Sequence, residues 1–192
     1  MTDFIYTLLS AALINNFVLQ QPLGADSLRG AHTLPRHRLH ALGIATCCLM
    51  LASSFVSYLI LHYTLKPLNL GYLRLFVVLP VIVSLLNPGL TVLNRLLPRL
   101  DFDGLRPLLL ANTGLAGVVL LGIEPDQGFR HLLTLALGAG LGFWLVLSLL
   151  DDLGQRLRSA NIPQPFRGLP IQLISVGLMG LAFMGFNGLV TA

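Results

Sequence analysis

Long apolar runs alternate with short polar connections along the whole chain. Six windows have the length of a membrane-crossing helix: Phe4–Leu23, Leu39–Leu61, Leu70–Leu93, Leu105–Ile123, Phe129–Leu150 and Leu169–Val190. About 20 apolar residues cross the hydrocarbon core as a helix. Continuous runs of this length indicate helices rather than the short alternating strands of a barrel, because backbone groups in lipid must be satisfied internally. The expected fold is all-α, a polytopic membrane protein with six spans. The connections leave no room for a soluble domain, so residues 1–192 read as a single integral membrane domain. Pro80 and Pro88 should kink span 3.

Two windows are interrupted by polar residues. Span 1 carries Asn15-Asn16 and then Gln20-Gln21-Pro22, and span 4 carries "NTG", Asn112-Thr113-Gly114. Six spans divide into three plus three, with halves of approximately 1–97 and 98–192. An odd number of spans per half gives related halves opposite topology, and such folds place sites on broken helices. Each half opens on a broken span, and Asn15 and Asn112 lie 97 positions apart (112 − 15). The halves share little sequence, so this spacing carries the expectation of an inverted repeat. Two readings of the amides stand side by side. They bond the backbone groups that a break sets free, or they line a site for an ion or cofactor between half-helices.

Composition agrees with the pattern. The chain is 55% hydrophobic and only 10% charged, against about 25% charged in soluble domains. "MTDFIYTLLSAALI" holds Asp3 and no early Lys or Arg, so it reads as part of the mature protein. Nine of the twelve basic residues fall in the connections after spans 1, 3 and 5: Arg29, Arg36, Arg38, Arg95, Arg99, Arg106, Arg156, Arg158 and Arg167. The positive-inside rule then places both termini outside the cytoplasm. The net charge of +4 reflects this asymmetry and not nucleic-acid binding, since the cations are spread over three loops without interleaved aromatics.

Few side chains offer chemistry. Cys47 and Cys48 are the only cysteines; adjacent helical residues point about 100° apart, which suits neither one metal nor a disulfide. His32, His37 and His40 share a basic loop with Arg36 and Arg38 and read as headgroup-facing. Asp26 is the one carboxylate close to a break. Its readings are a cap paired with Arg29 near the interface, or an ion or proton site. Asp101, Asp103, Asp151 and Asp152 lie among loop arginines and read as solvated. Glycines in "LGAGLGFW", Leu137–Trp144, and "GLMGLAFMGFNG", Gly177–Gly188, should let helices approach closely, within the chain or against a partner. No nucleophile–base pair or glycine-rich phosphate loop is visible, so the chain reads as non-catalytic alone.

The segments "NNFVL", Asn15–Leu19, "PLNLGYLR", Pro67–Arg74, and above all "IPQPFRGLPIQLISVGLMGLAFMGFNGLV", Ile162–Val190, closely resemble the RnfA/NqrE family. The resemblance covers essentially the whole chain and is nearest the A-type branch of the Rnf complexes. It implies a membrane subunit of an assembly that couples electron transfer between ferredoxin and NAD to ion translocation. This chain would supply scaffold and part of the transmembrane electron route. Implied partners are the other Rnf-type membrane subunits, especially an inverted E-like homologue. In the family, each of two such subunits brings one Cys from break 1 and one from break 4, and the four thiolates hold a [2Fe–2S] cluster.

The chain departs from that pattern. Where the family reads Leu-Gly-x-Cys-Pro, this chain reads "LGADS", with Asp26 after Gly24. Where the family reads Thr-Asn-Cys, this chain reads "ANT", with Thr113 after Asn112. Span 3 reads "SLLNPGL", Ser84–Leu90, without the family's Glu. The chain is therefore expected to bind no cofactor or metal alone, and Asp26 and Thr113, with Asn15, Asn16, Gly24 and Asn112 beside them, mark the family's cluster positions without its ligands. The alternatives are a divergent paralogue with a structural or assembly role, and a small transporter using its broken spans.

Overall fold

The computed structural model describes residues 2–20, 34–68, 70–123, 128–158 and 162–186. The described residues form helices in each of the six expected windows. Span 1 is α1 (Thr2–Leu9), a π turn (Ser10–Ile14) and α2 (Phe17–Gln20). Span 2 is α3 (Arg36–Ile60) continued by a second π turn (Leu61–Leu65). Span 3 is a 3-10 turn (Gly71–Leu73) leading into α4 (Arg74–Leu96). Span 4 is α5 (Arg106–Leu110) and α6 (Thr113–Gly122). Span 5 is α7 (Phe129–Arg158), and span 6 is α8 (Leu169–Met184) after a 3-10 turn (Gln164–Phe166).

Spans 2, 3 and 5 are long and apolar enough to cross a bilayer as unbroken helices, while Phe4–Gln20, Arg106–Gly122 and Leu169–Met184 are shorter apolar helices. Span 2 starts three residues before its apolar window, and α7 runs eight beyond its own. Charged residues at these ends extend a helix into the headgroup layer, where long stems keep the charge in water.

The centre of the bundle is the antiparallel pair α3 and α7. Glycine makes their approach possible. A Cβ on Gly140 would lie 2.8 Å from the Cys47 Cα, and one on Gly43 would lie 2.4 Å from Trp144 Cδ1. Leu42, Ala45, Phe143 and Val146 are sealed in the same core. Span 1 runs parallel to α7, with Leu8 at Gly138 and Ala12 at Gly142. The span 5 glycines thus serve packing within the chain. In span 6, no described residue lies within 4 Å of a Cβ on Gly177, and Gly180 meets the Leu19 carbonyl at 3.9 Å.

α4 continues as helix through both Pro80 and Pro88. It turns Leu75, Phe76, Leu79, Val83 and Val92 outward, as a lipid-facing helix can. Polar contacts separate two ends of the bundle. At one end Arg36 at the start of α3 pairs with Asp152 at 2.9 Å near the end of α7, and Arg38 pairs with Asp101 after α4. At the other, Arg74 Nη1 donates to the Ile123 carbonyl at 3.0 Å, and Tyr58 packs on Phe129. The connections after spans 1, 3 and 5 therefore meet at the same end wherever they are described.

Candidate functional site

Span 1 breaks where the amides predict. The π turn leaves Asn15 with φ −97° and ψ 47°, outside the helical region, and its N–H donates to the Ser10 carbonyl at 2.6 Å. Asn16 then restarts the helix. Its Oδ1 accepts from the Val18 N–H at 3.0 Å, and its Nδ2 donates to the Ala12 carbonyl at 2.8 Å. The Leu19 and Gln20 N–H groups donate to the Asn16 carbonyl, and Gln20 Nε2 reaches back to the Ile14 carbonyl at 3.1 Å. A free backbone group in an apolar bundle costs about 1–3 kcal/mol, which these amides offset.

Span 4 repeats the device. α5 stops at Ala111, and Asn112, with φ −77° and ψ 92°, caps α6. Its Oδ1 accepts from the Gly114 N–H at 3.0 Å. Both Asn16 and Asn112 are buried, 1% and 3% exposed, and each carboxamide bonds the N–H two residues on. They lie 96 positions apart (112 − 16). The two breaks differ in one respect. Asn16 Nδ2 is bonded, whereas Asn112 Nδ2 is buried without a partner among the described residues. α2 lies against α6, α7 and α8, so the restarted helices of the two breaks meet. Gly142 supplies the seat: a Cβ there would stand 2.8 Å from both Ala12 O and Asn16 Nδ2.

The pairing across the halves therefore belongs to Asn16 and Asn112. Asn15 is exposed. Thr113 is the first residue of α6 and is exposed. Gly24 and Asp26 lie outside the described residues, as do Gln21, Pro22, Arg29 and His32, so the Asp26–Arg29 cap and the second interruption of span 1 are expectations on which the structure is silent.

Two expectations about charged and aromatic groups change. His37 and His40 are not in a loop, because α3 already begins at Arg36 behind Pro35. His40 is half-buried, and its Nδ1 accepts from Trp144 Nε1 at 3.1 Å. Nor are Asp101 and Asp152 merely solvated. Arg38 Nε donates to Asp101 Oδ2 at 2.8 Å, and the Asp103 N–H donates to Oδ1. The Arg38 hydrogen bond first, and then the Asp103 N–H, hold this carboxyl below its ordinary range.

The donors within reach are hard oxygen and amide groups. At break 4 the position after Asn112 holds a threonine hydroxyl, a poor replacement for thiolate on an iron–sulfur cluster. Cys47 packs its sulfur against Gly140, and Cys48 is exposed on another side of α3. The two sulfurs diverge and do not fit a shared cluster. Among the described residues no three His, Cys, Asp or Glu side chains gather.

Comparison with known proteins matches residues 4–190 to the family described as "Rnf-Nqr subunit, membrane protein". The chain is 38% identical over 192 residues to a protein of Aeromonas hydrophila subsp. hydrophila, with 99% of each chain covered. Identity is also 38% over 192 residues to a Histophilus somni protein, again with 99% of each covered, and to one from Thioalkalivibrio sulfidiphilus, with 99% of this chain and 100% of the relative covered. All three are named as the A-type member of an "Ion-translocating oxidoreductase complex". With a family match over nearly its whole length and full-length relatives at this identity, the chain belongs to the Rnf-Nqr family of membrane subunits.

Proposed function

We propose that the chain is a membrane subunit of an ion-translocating oxidoreductase complex, supplying scaffold and part of the route by which electrons cross the bilayer. The observation that carries this reading is the pair of Asn-capped breaks brought together in the bundle core, in a chain related over its full length to subunits of that name. The breaks hold backbone away from lipid and anchor helix ends in the interior. The complex performs the chemistry, and this chain is not catalytic alone. Its partners are further membrane subunits, foremost an inverted homologue.

Residues 1–97 and 98–192 are inverted halves in this reading. Helix neighbours support it. α3 against α7 maps onto itself when the halves are exchanged. Span 1 against α7 exchanges with span 4 against α3, and span 3 against span 4 with span 6 against span 1. The chain sits in a bacterial inner membrane with both termini periplasmic. Reporter fusions at Met1 and Ala192 test this, and a cytoplasmic signal from either sinks it.

The donor set favours a second reading within the first, a paralogue whose role is structural or assembly-related and which has no redox centre of its own. Asp26 and Thr113 offer no thiolate, so this chain contributes no cluster ligand, and an intact partner would bring at most two of the four that an ordinary [2Fe–2S] centre needs. Electron paramagnetic resonance of the reduced complex, stripped of soluble-side iron–sulfur subunits, decides. A stoichiometric [2Fe–2S] signal from the native membrane subunits overturns the ligand-free reading. The Asp26→Cys, Thr113→Cys double variant with a Cys-bearing partner should gain that signal.

A further inference from the structure

The contact between His40 and Trp144 lies outside the two breaks. It joins the central helices at the basic end of the bundle. Trp144 Nε1–H donates to His40 Nδ1 at 3.1 Å, and the rings meet edge to face, with centroids 6.2 Å apart and planes at 84°. The indole lies over Gly43, where a Cβ would stand 2.4 Å from its Cδ1, so no other residue type at 43 leaves room for it in place. Trp144 is thus fixed against α3 by a notch and by one hydrogen bond.

The bond specifies a protonation state. An indole N–H is only a donor. The imidazole must therefore accept through Nδ1 and carry its proton on Nε2. The doubly protonated ring has a donor on each nitrogen and accepts nothing. At 3.1 Å, two N–H groups would then face each other. We propose that His40 and Trp144 form an acid-sensitive latch between α3 and α7, closed while the imidazole is neutral and released when it is protonated.

The surrounding charges do not replace the lost bond. On α3, Arg36 lies one turn before His40, flanked by His37 and Arg38. Across from them on α7, Asp152 is engaged by Arg36 at 2.9 Å, and Asp151 lies 4.0 Å from the same guanidinium. After α4, Asp101 is held by Arg38. Asp152 and Asp101 are thus engaged by arginines, Asp151 also accepts from Gln155 Nε2 at 2.8 Å, and Asp103 is exposed in the connection after α4. The facing stretch of α6, Thr113–Gly122, contains no titratable side chain. Protonation consequently adds a cation beside Arg36 and removes an acceptor from Trp144. The closed state is therefore favoured while the ring is neutral and is lost on acidification.

Trp144 is the chain's one tryptophan, so its emission reads the latch directly. The full chain in phosphatidylethanolamine–phosphatidylglycerol vesicles should show one sigmoidal loss of intensity with a shift of emission maximum between about pH 8 and pH 5. His40→Asn retains an acceptor oxygen and cannot titrate, so its emission should stay flat across that range. His37→Asn should keep the native titration. A second readout is the single indole N–H resonance of the ¹⁵N-indole-labelled chain. It should move upfield on acidification in the native protein and in His37→Asn alone, and it serves without the variant if His40→Asn fails to fold. A flat native profile in both readouts, or a titration that survives in His40→Asn, overturns the proposal.

Discussion

The two breaks solve one problem with the same residue and arrive at different balances. In span 1 every polar atom of the Asn16 side chain is engaged, and Gln20 covers a further freed carbonyl. In span 4 the Asn112 carboxamide caps α6 with its oxygen, while its nitrogen has no partner among the described residues. The difference follows from what precedes each cap. The π turn of span 1 widens the helix and presents the Ala12 carbonyl to Nδ2. α5 ends tightly, its Ala111 and Asn112 N–H groups donating to Pro107 and Leu109, and the Asn112 Nδ2 finds no such carbonyl. One capping residue can therefore be fully satisfied or half satisfied, depending on the turn that feeds it.

Five substitutions test this contrast, read as thermal or denaturant unfolding of the detergent-solubilised chain. The largest effect is expected from Gly142→Leu. Even its Cβ would stand 2.8 Å from Ala12 O and Asn16 Nδ2, so span 1 must leave its seat at a cost of about 3 kcal/mol. An unchanged midpoint would show that break 1 does not rest on α7. Next comes Asn16→Ala, which strands the Ala12 carbonyl and the Val18 N–H and should cost about 2 kcal/mol or more.

Asn112→Ala should cost less, about 1 kcal/mol, because only the cap to Gly114 is lost. Asn112→Ser sharpens the point: it keeps an acceptor and deletes the unpartnered N–H, and its stability should fall within about 0.5 kcal/mol of native. Equal losses in Asn16→Ala and Asn112→Ala would erase the contrast. The smallest effect belongs to Arg38→Gln at the solvent-facing end. Arg38 holds the Asp101 carboxyl below its ordinary value of 3.8, so the pair contributes above that pH and loses its contribution as pH falls through and below it. Native and variant midpoints should differ slightly at neutral pH and converge as pH falls well below the ordinary carboxylate value.

The helices of the six windows and the interruptions at Asn15-Asn16 and Asn112 are legible because lipid imposes strict rules on length and polarity. Breaks in apolar helices must be marked by residues able to bond the freed backbone, and Asn15-Asn16 and Asn112 are such marks. Choosing between Asn15 and Asn16 was beyond the pattern. The π turn adds a residue to the helical turn and rotates Asn16 inward and Asn15 outward, and "SAALI" carries no sign of it. The start of α3 was misplaced because Arg36, His37 and Arg38 look like loop composition, although Pro35 is a good residue to stand before a helix. The His40–Trp144 bond spans 104 positions, a separation over which spacing says nothing. Glycines gave only the capacity for close approach: Gly138, Gly140 and Gly142 use it within the chain, and Gly177 does not.

The π turn at Ser10–Ile14 also bears on how this chain tolerates changes in length. Where the i to i+5 pattern replaces i to i+4, one residue more than an α-helix requires is accommodated. Deleting one residue among Ala11, Ala12 and Leu13 would let the segment close as ordinary α-helix. The outer part of span 1 would then turn by about 100° and draw in by about 1.5 Å. Phe4, Ile5 and Tyr6, now outward, would change the face they present, while the Asn16 Oδ1 bond to the Val18 N–H, downstream of the turn, stayed in place. The aromatic rim of this helix and its buried amide are thus geared to one another through a single surplus residue.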